Sequence, residues 1–351
     1  MRVRLAARGL AARGLAAAAT TAALLLGANP AEARAIVPDT WPFTPPAKLR
    51  EPRASDRLPS LYAGPCSTGC RATGAVPGWP VKPFHSQHLL RAGLNELRPG
   101  NLHTGVDILA RDGTPVYAIQ PGRARVLERT GRDARVQVGD FQYWHVNPSV
   151  AEGQLVRSYR DVLGTVLQGA GHVHLSEVRG ERFLNPLRPG GRVLSPWSDS
   201  GAPVLSKPSL LRGGLVLIRG FDPQASPRAA RPRRPTLALA GLAYRLFARR
   251  GRPLGGLHWA LRGSRHLPNS TRSLIYAPGS RPAFAPCVML AHPCRSHWTY
   301  RLAGGLAPRL RVRQGRPYRL SAYAWDWSGH VRAIDQRFAY LRGEPFVPAR
   351  H

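Results

Sequence analysis

Lysine and acidic residues are scarce in this sequence, whereas arginine is abundant. Of the 51 basic residues only Lys48, Lys82 and Lys207 are lysine, and the 19 acidic residues leave a formal net charge of +32. Such a charge attracts polyanions, but the chain contains no recognition-helix or RNA-binding motif. We therefore expect no nucleic-acid partner, and genomic base composition could account for part of the arginine.

Long apolar runs are also missing. After the first 30 residues no stretch approaches the roughly 20 apolar residues of a membrane-spanning helix, which excludes a multi-span membrane protein. The 36 glycines and 34 prolines make the chain rich in loops without reaching the level of disordered proteins. At 351 residues and 43% hydrophobic composition the chain can form a core, and we expect two domains.

The first 33 residues have the pattern of a secretory signal peptide. A basic start precedes the apolar stretch Leu15–Ala28, and small residues allow cleavage after Ala33 or Ala35. An amphipathic surface helix is the alternative for this segment. We expect a secreted, extracellular and monomeric protein without a membrane span, released or associated with the cell wall.

Cysteine occurs four times, as the pairs Cys66/Cys70 and Cys287/Cys294. Export would place these residues in an oxidising compartment, where three connectivities are possible. Because 217 positions separate the pairs, two local disulfides are favoured. A zinc site of four cysteines is the alternative, but three and six intervening residues do not match the usual spacing.

Two series of short apolar segments follow a Pro-rich linker at 34–78, which could also cover a groove as a propeptide. In residues 79–190 the segments alternate with glycine and predict β-strands, and only Leu89–Leu97 has helical spacing. In residues 204–345 seven or eight strands predict an antiparallel sandwich. The strands expected there include Ser273–Tyr276, Arg309–Val312 and Tyr318–Trp325. The fold class is therefore all-β.

Positive charge is concentrated in the second series. Residues 34–190 carry 20 basic and 13 acidic groups, whereas residues 191–351 carry 27 and 5. For an exported protein the available polyanions are wall polymers and lipid headgroups. We expect the basic second domain to bind one of these, unless its arginines serve only to keep the surface soluble.

Three histidine clusters in the first series carry the candidate chemistry. His103 and Asp107 are four residues apart on an extended segment, and His172 and His174 are two apart, so each pair shares a strand face. His145 lies in a third strand-like segment. Two histidines and one aspartate form a three-ligand zinc set with an open position for water, which is typical of a catalytic site. Two further imidazoles could then move protons and stabilise an oxyanion.

These clusters occur in an ordered set of motifs. The set consists of His103-x-Gly105-x-Asp107, Asp112-Gly-Thr-Pro-Val-Tyr-Ala118, Gly122, Tyr143-x-His145, His172-x-His174 and Asn185-Pro186. Over about residues 79–190 it resembles the LytM/lysostaphin-type zinc metalloendopeptidases, which hydrolyse peptide cross-links of bacterial peptidoglycan in a compact antiparallel β fold. The segment Ala322–Arg332 resembles the last hairpin of immunoglobulin-like or fibronectin-like modules.

The resemblance implies one Zn²⁺ per chain, held by His103, Asp107 and His174, with His145 and His172 as the catalytic pair. All five residues are present, which argues against an inactive member. One departure is Ser176, where the family usually has a glutamate; here Glu177 follows it. We expect this departure to affect the groove rather than the metal set. The alternative function is a non-catalytic wall-binding or hydrolase-activating protein on the same fold.

Overall fold

The computed structural model describes residues 74–188, 191–224, 236–249, 251–280 and 298–347, and regular structure there is almost entirely β. This confirms the all-β class. The predicted signal peptide, most of the linker at 34–78 and both cysteine pairs lie outside the described residues. Within the described ranges no helix is long and apolar enough to cross a membrane.

Residues 74–188, which we call the amino-terminal part, form antiparallel sheets. Their strands are β1 (Leu90–Ala92), β2 (Val106–Leu109), β3 (Pro115–Tyr117), β4 (Gly122–Glu128), β5 (Arg135–Val138), β6 (Phe141–Trp144), β7 (Val146–Pro148), β8 (Leu155–Val156), β9 (Val162–Val166), β10 (His172–Arg179) and β11 (Arg182–Leu184). The larger sheet has the order β1-β2-β10-β6-β5-β4-β8, with β11 also paired to β10, and the smaller has the order β3-β9-β7.

Strand β10 lies at the centre of the larger sheet, between β2 and β6. Its side chains alternate, so Val173 and Leu175 enter the hydrophobic core while His172 and His174 face the other way. The register places His174 directly opposite Asp107 of β2. This pairing across two strands brings distant sequence motifs together on one face.

Residues 191–347, the carboxy-terminal part, form two further antiparallel sheets. Their elements are β12 (Val204–Leu205), β13 (Ser209–Leu210), β14 (Val216–Phe221), β15 (Gly241–Ala248), β16 (His258–Arg262), α1 (Arg272–Ile275), β17 (Thr299–Ala303), β18 (Tyr318–Trp325), β19 (Val331–Leu341) and β20 (Glu344–Phe346). One sheet is β16-β15-β18-β19-β20; in the other β14 pairs with β12, β13 and β17. Both sheets contribute to one hydrophobic core. The immunoglobulin-like arrangement stays a prediction.

Three local predictions were wrong. Leu89–Leu97 is strand β1 followed by a turn, because Gly93 interrupts the helical spacing and Asn95 has a positive φ of 64°. Ser273–Tyr276 is mostly helix α1, since a short apolar run cannot distinguish helix from strand. Arg309–Val312 has no strand pairing and approaches β18 as a loop.

The two parts share their packing. Trp325 and Trp327 of the carboxy-terminal part belong to the core of the amino-terminal part, and Leu102 belongs to the opposite core. The contact is tight at Gly93, where an added Cβ would lie 2.6 Å from the ring of Trp327. The predicted domain pair is therefore joined by close contacts around the segment that precedes β2.

Three of the five acidic residues in the carboxy-terminal part are buried. Asp222, Asp326 and Asp199 are 0%, 0% and 6% exposed. Burial, together with the neighbouring charge of Asp199, raises the pKa of Asp222 well above its usual value of 3.8. Asp222 Oδ1 accepts from Gln224 N at 2.9 Å, but Asp222 Oδ2 is buried without a hydrogen-bond partner, which disfavours the charged carboxylate.

This burial predicts stability that falls as the pH rises. Between pH 3.8 and the raised pKa the folded chain holds a proton on Asp222 that the unfolded chain has lost. Asp222→Asn stays neutral, so it should be more stable than wild type at pH 8, by about 1–3 kcal/mol. Urea unfolding at pH 5 and pH 8 measures this. Exposed Asp133→Asn should leave the pH dependence unchanged, and a wild-type curve parallel to that of Asp222→Asn would contradict the account.

Candidate metal centre

Three side chains converge in the amino-terminal part: His103 before β2, Asp107 in β2 and His174 in β10. His103 Nε2 lies 2.9 Å from Asp107 Oδ1 and 2.7 Å from His174 Nδ1, and His174 Nδ1 lies 3.0 Å from Asp107 Oδ1. All three residues are buried. Ligand atoms around a tetrahedral metal with bonds of about 2.0–2.1 Å lie about 3.3 Å apart. The group could therefore hold a metal ion.

Hydrogen bonds on the far side of each imidazole orient the two histidines. His103 Nδ1 donates to Gly93 O at 2.7 Å, so the Nε2 lone pair faces the other ligand atoms. His174 Nε2 lies 2.8 Å from the buried Ser176 hydroxyl, which can accept its proton and leave Nδ1 as a ligand. Outer partners of this kind fix the tautomer of metal-binding histidines. Ser176 therefore acts on the metal set, contrary to the expectation that it affects only the groove.

The two oxygens of the Asp107 carboxylate face different partners: one faces the histidines and the other faces two arginines. Its Oδ2 accepts from Arg98 Nη2 at 3.1 Å and lies 3.7 Å from Arg91 Nη2, which leaves Oδ1 facing the histidines. Burial alone would raise the pKa of Asp107, but the contacts with His103, His172 and His174 hold that pKa well below its usual range. The carboxylate is therefore ionised and presents one oxygen to a metal.

His145 and His172 lie beside this group, with ring centroids 4.7 Å apart. His172 Nε2 is 3.6 Å from Asp107 Oδ1. His145 Nδ1 donates to Arg132 O at 2.7 Å, so its Nε2 is left as an acceptor. Burial lowers the pKa of His145 and lowers that of His172 to about 4. Both rings are therefore neutral at neutral pH.

Two contacts of His172 Nδ1 require opposite tautomers. The atom lies 2.5 Å from Ala170 O, to which it can only donate, and 2.8 Å from Arg91 Nη1, from which it can only accept. We assign the proton to Nδ1 because the carbonyl contact is the shorter. His172 Nε2 is then an acceptor on the same side as Asp107.

Asp112 shapes the turn that leads into β10. Its two carboxylate oxygens accept from Gly169 N at 2.7 Å and from Gly171 N at 2.8 Å. These backbone hydrogen bonds lower the pKa of Asp112. The motif that begins at Asp112 therefore sets the position from which His172 and His174 leave the turn.

The carboxy-terminal part supports residues 93–103, which we call the ligand loop because it carries Gly93, Arg98 and His103. Buried Asn95 donates through Nδ2 to Arg265 O at 2.9 Å and accepts through Oδ1 from Leu267 N at 2.8 Å. Tyr276 donates to Asn95 O at 3.0 Å. The turn of this loop is thus held by residues about 170 positions further along the chain.

Two further contacts connect the ligand loop to the carboxy-terminal part. Glu96 Oε1 accepts from Gly93 N and from Ala238 N at 2.9 and 3.0 Å, and burial raises the pKa of Glu96 to about 7. The Asn269 side chain accepts from Leu102 N at 2.9 Å, next to His103. Because His103 N also donates to Glu96 O, movement of the loop would displace a member of the candidate donor set.

The structure brings all five residues singled out by the sequence to one site. It adds Arg91, Arg98 and Ser176, which the sequence analysis did not assign to the metal set. Arg91 lies in the segment Leu89–Leu97 that was predicted to be helical and Arg98 follows it directly, so their positions could not be inferred. His85 and His88 do not join the site: His85 packs on Tyr159 and His88 on Trp79. Among the described residues no second group of histidines and carboxylates could hold a metal.

The sequence matches no protein-family model, and no curated protein matches it either. The likeness to LytM/lysostaphin-type enzymes therefore depends on the motif residues alone.

Support of the ligand loop by Asn269 predicts a change in metal affinity. Asn269→Ala removes the acceptor of Leu102 N from an exposed position, so the fold should persist while metal binds about threefold to tenfold more weakly. Loss of a residue that hydrogen-bonds directly to a metal ligand lowers metal affinity about 10–100-fold. Asn269 bonds to the neighbour of His103 and not to His103 itself, so we expect a smaller effect. Isothermal titration of the metal-free protein with Zn²⁺ measures the affinity.

Ser280→Ala provides the matched control for Asn269→Ala. It removes a side-chain hydrogen bond to Thr299 in the same part of the chain but does not touch the ligand loop. Equal effects of the two variants on Zn²⁺ affinity would contradict a specific role of Asn269.

Proposed function

We propose that this protein is a secreted zinc metalloendopeptidase that hydrolyses peptide cross-links of bacterial peptidoglycan. The observation that carries the proposal is the pair of neutral histidines, His145 and His172, beside a buried donor set of two histidines and one aspartate. A structural zinc site needs four protein ligands, whereas three leave a position for water or substrate.

The donor set fits Zn²⁺ by its chemistry. His103 Nδ1–H donates to Gly93 O and His174 Nε2–H donates to the Ser176 hydroxyl. The other nitrogen of each ring then presents a lone pair, and these two lone pairs and one carboxylate oxygen meet within 3.0 Å. With the two rings in these tautomers no proton lies between the three ligand atoms. Their mutual repulsion therefore favours the binding of a cation among them. Imidazole nitrogen with a single carboxylate oxygen suits zinc better than calcium or magnesium, which take oxygen ligands.

Zinc bound there would polarise the scissile carbonyl and lower the pKa of water. Side chains of the protein would transfer the protons of the reaction. Peptide hydrolysis adds the water oxygen to the carbonyl carbon and delivers a proton to the departing amide nitrogen. His145 Nε2 and His172 Nε2 are neutral acceptors on the site, so one of them can take the water proton and become an imidazolium. That imidazolium can donate to the oxyanion and then pass the same proton to the departing amide nitrogen, which returns the ring to its neutral form, while the other ring remains an acceptor that can orient the water.

Location and partners are part of the same proposal. A peptidoglycan hydrolase must be exported, which agrees with the signal-like first 33 residues. Basic residues 191–351 would hold the enzyme on anionic wall polymers. The second candidate function, a non-catalytic wall-binding or hydrolase-activating protein, would need the wall contact without cleavage. The complete set of five residues favours the enzyme.

Digestion of purified peptidoglycan tests the proposal. Protein lacking residues 1–33 should release soluble fragments with new amino termini, and a chelator should abolish the release until Zn²⁺ is restored. Asp107→Ala should lose both zinc and activity while remaining folded. A zinc-loaded wild type that frees no amino termini from any wall type would exclude hydrolysis and leave the wall-binding alternative.

His172→Gln separates catalysis from metal binding. The side chain is not among the proposed ligands, so the variant should keep its zinc while cleavage falls by about 100-fold or more. Measuring bound zinc and cleavage rate on the same sample makes the comparison. His258→Gln, in β16, is the control and should match wild type. Loss of zinc in His172→Gln would place this residue among the ligands.

A further inference from the structure

A cleft of about 870 Å³ lies in the carboxy-terminal part, where β15 ends and β18 begins. Ala248 and Tyr318 form the last register pair at this end of the two strands. The loops that follow β15 and precede β18 therefore leave the sheet side by side. The cleft is lined by Arg249, Arg252, Arg311, Arg313 and Arg316, with Leu254, Val312 and Tyr318 as apolar neighbours.

The lining contains no carboxylate, and the five acidic residues of the carboxy-terminal part have other surroundings. Asp199, Asp222 and Asp326 are buried. Asp335 is bound by Ser321 and Arg319, and Glu344 by Arg212.

Among the described residues none of the five cleft arginines forms an ion pair, and all five are exposed. Five like charges at one cleft repel each other. Binding of an anion in the cleft would reduce this repulsion.

The backbone around the cleft is held in place. The Tyr318 hydroxyl, at the edge of β18, accepts from Arg313 N at 3.0 Å, and Leu254 N donates back to Leu246 O at 2.8 Å. The arginines thus project from loops fixed to the sheet at both sides. A guanidinium presents two parallel donors, which match the two free oxygens of a phosphodiester.

We propose that this cleft binds the phosphodiester backbone of a flexible anionic polymer of the cell wall. A flexible chain can enter a concave cleft, whereas a flat bilayer cannot fill it. Membrane insertion would also need exposed apolar or aromatic residues, and Leu254, Val312 and Tyr318 are not exposed. Duplex DNA is usually read by a helix in the major groove, and α1 has four residues. The inference rests on the exported, wall-associated location given in the proposed function and names the site of the wall contact. Because its readout is binding, its failure can be distinguished from a failure of the peptidase activity.

Fluorescence anisotropy with labelled poly(glycerol phosphate) tests the inference on protein lacking residues 1–33. Replacing Arg249, Arg311 and Arg313 by glutamine should weaken binding at least about tenfold and make its salt dependence less steep. The control replaces Arg125, Arg129 and Arg182 by glutamine. These exposed residues of the amino-terminal part give the same change in net charge, and their loss should alter binding less than about threefold.

Thermal unfolding and circular dichroism verify that each variant is folded. Equal weakening by the two triple variants would overturn the inference, because general charge attraction would then explain the binding. It would also be overturned if wild type bound vesicles of phosphatidylglycerol and phosphatidylcholine, or duplex DNA, more tightly than the polymer and lost that binding in the cleft variant. Tighter binding of the polymer, lost only in the cleft variant, is the expected result.

Discussion

Three electron-pair donors held together in a buried site are the constraint on which the rest of this structure depends. His103 Nε2, His174 Nδ1 and Asp107 Oδ1 lie 2.7–3.0 Å apart, and such an arrangement repels itself unless a cation or a proton lies among them. Neighbouring groups prevent these three side chains from rotating apart. Gly93 O and Ser176 orient the rings, and Arg98 and Arg91 hold the second oxygen of Asp107. A preorganised donor set costs little reorganisation when a metal binds.

Support for this centre reaches across both parts of the chain. Strand pairing places Asp107 opposite His174, which uses only the amino-terminal part. His103 depends on the ligand loop, and the loop depends on Asn269, Tyr276 and Ala238 of the carboxy-terminal part. The second part is therefore more than an attached module, because its side-chain and backbone groups complete the hydrogen bonds of a buried turn.

The two parts differ in where their carboxylates lie relative to their cations. In the amino-terminal part, carboxylates meet cations directly, as Asp107 does with Arg98 and as Glu177 does with Arg188. In the carboxy-terminal part three of the five acidic residues are buried, so few carboxylates remain at the surface of its described residues to balance the exposed arginines. This separation gives one protein a donor set whose charge is balanced locally and a basic surface that attracts anions.

The sequence alone determined the shared face of His172 and His174, the all-β class and the excess of arginine on the second part, whereas the choice of His103 and His174 as partners of Asp107 was implied only by the resemblance to a known family. These properties follow from residue identity and from the two-residue period of a strand, which are local. Tertiary structure decided the roles of Arg91, Arg98 and Ser176, the support of the ligand loop and the arginine cleft. Each of these joins segments far apart in the chain. In Leu89–Leu97 the turn after β1 is likewise held by distant residues, since Gly93 packs against Trp327 and Asn95 bonds to Arg265 and Leu267. Local spacing contains no information about such contacts, because they depend on which backbone groups the completed fold leaves to be satisfied.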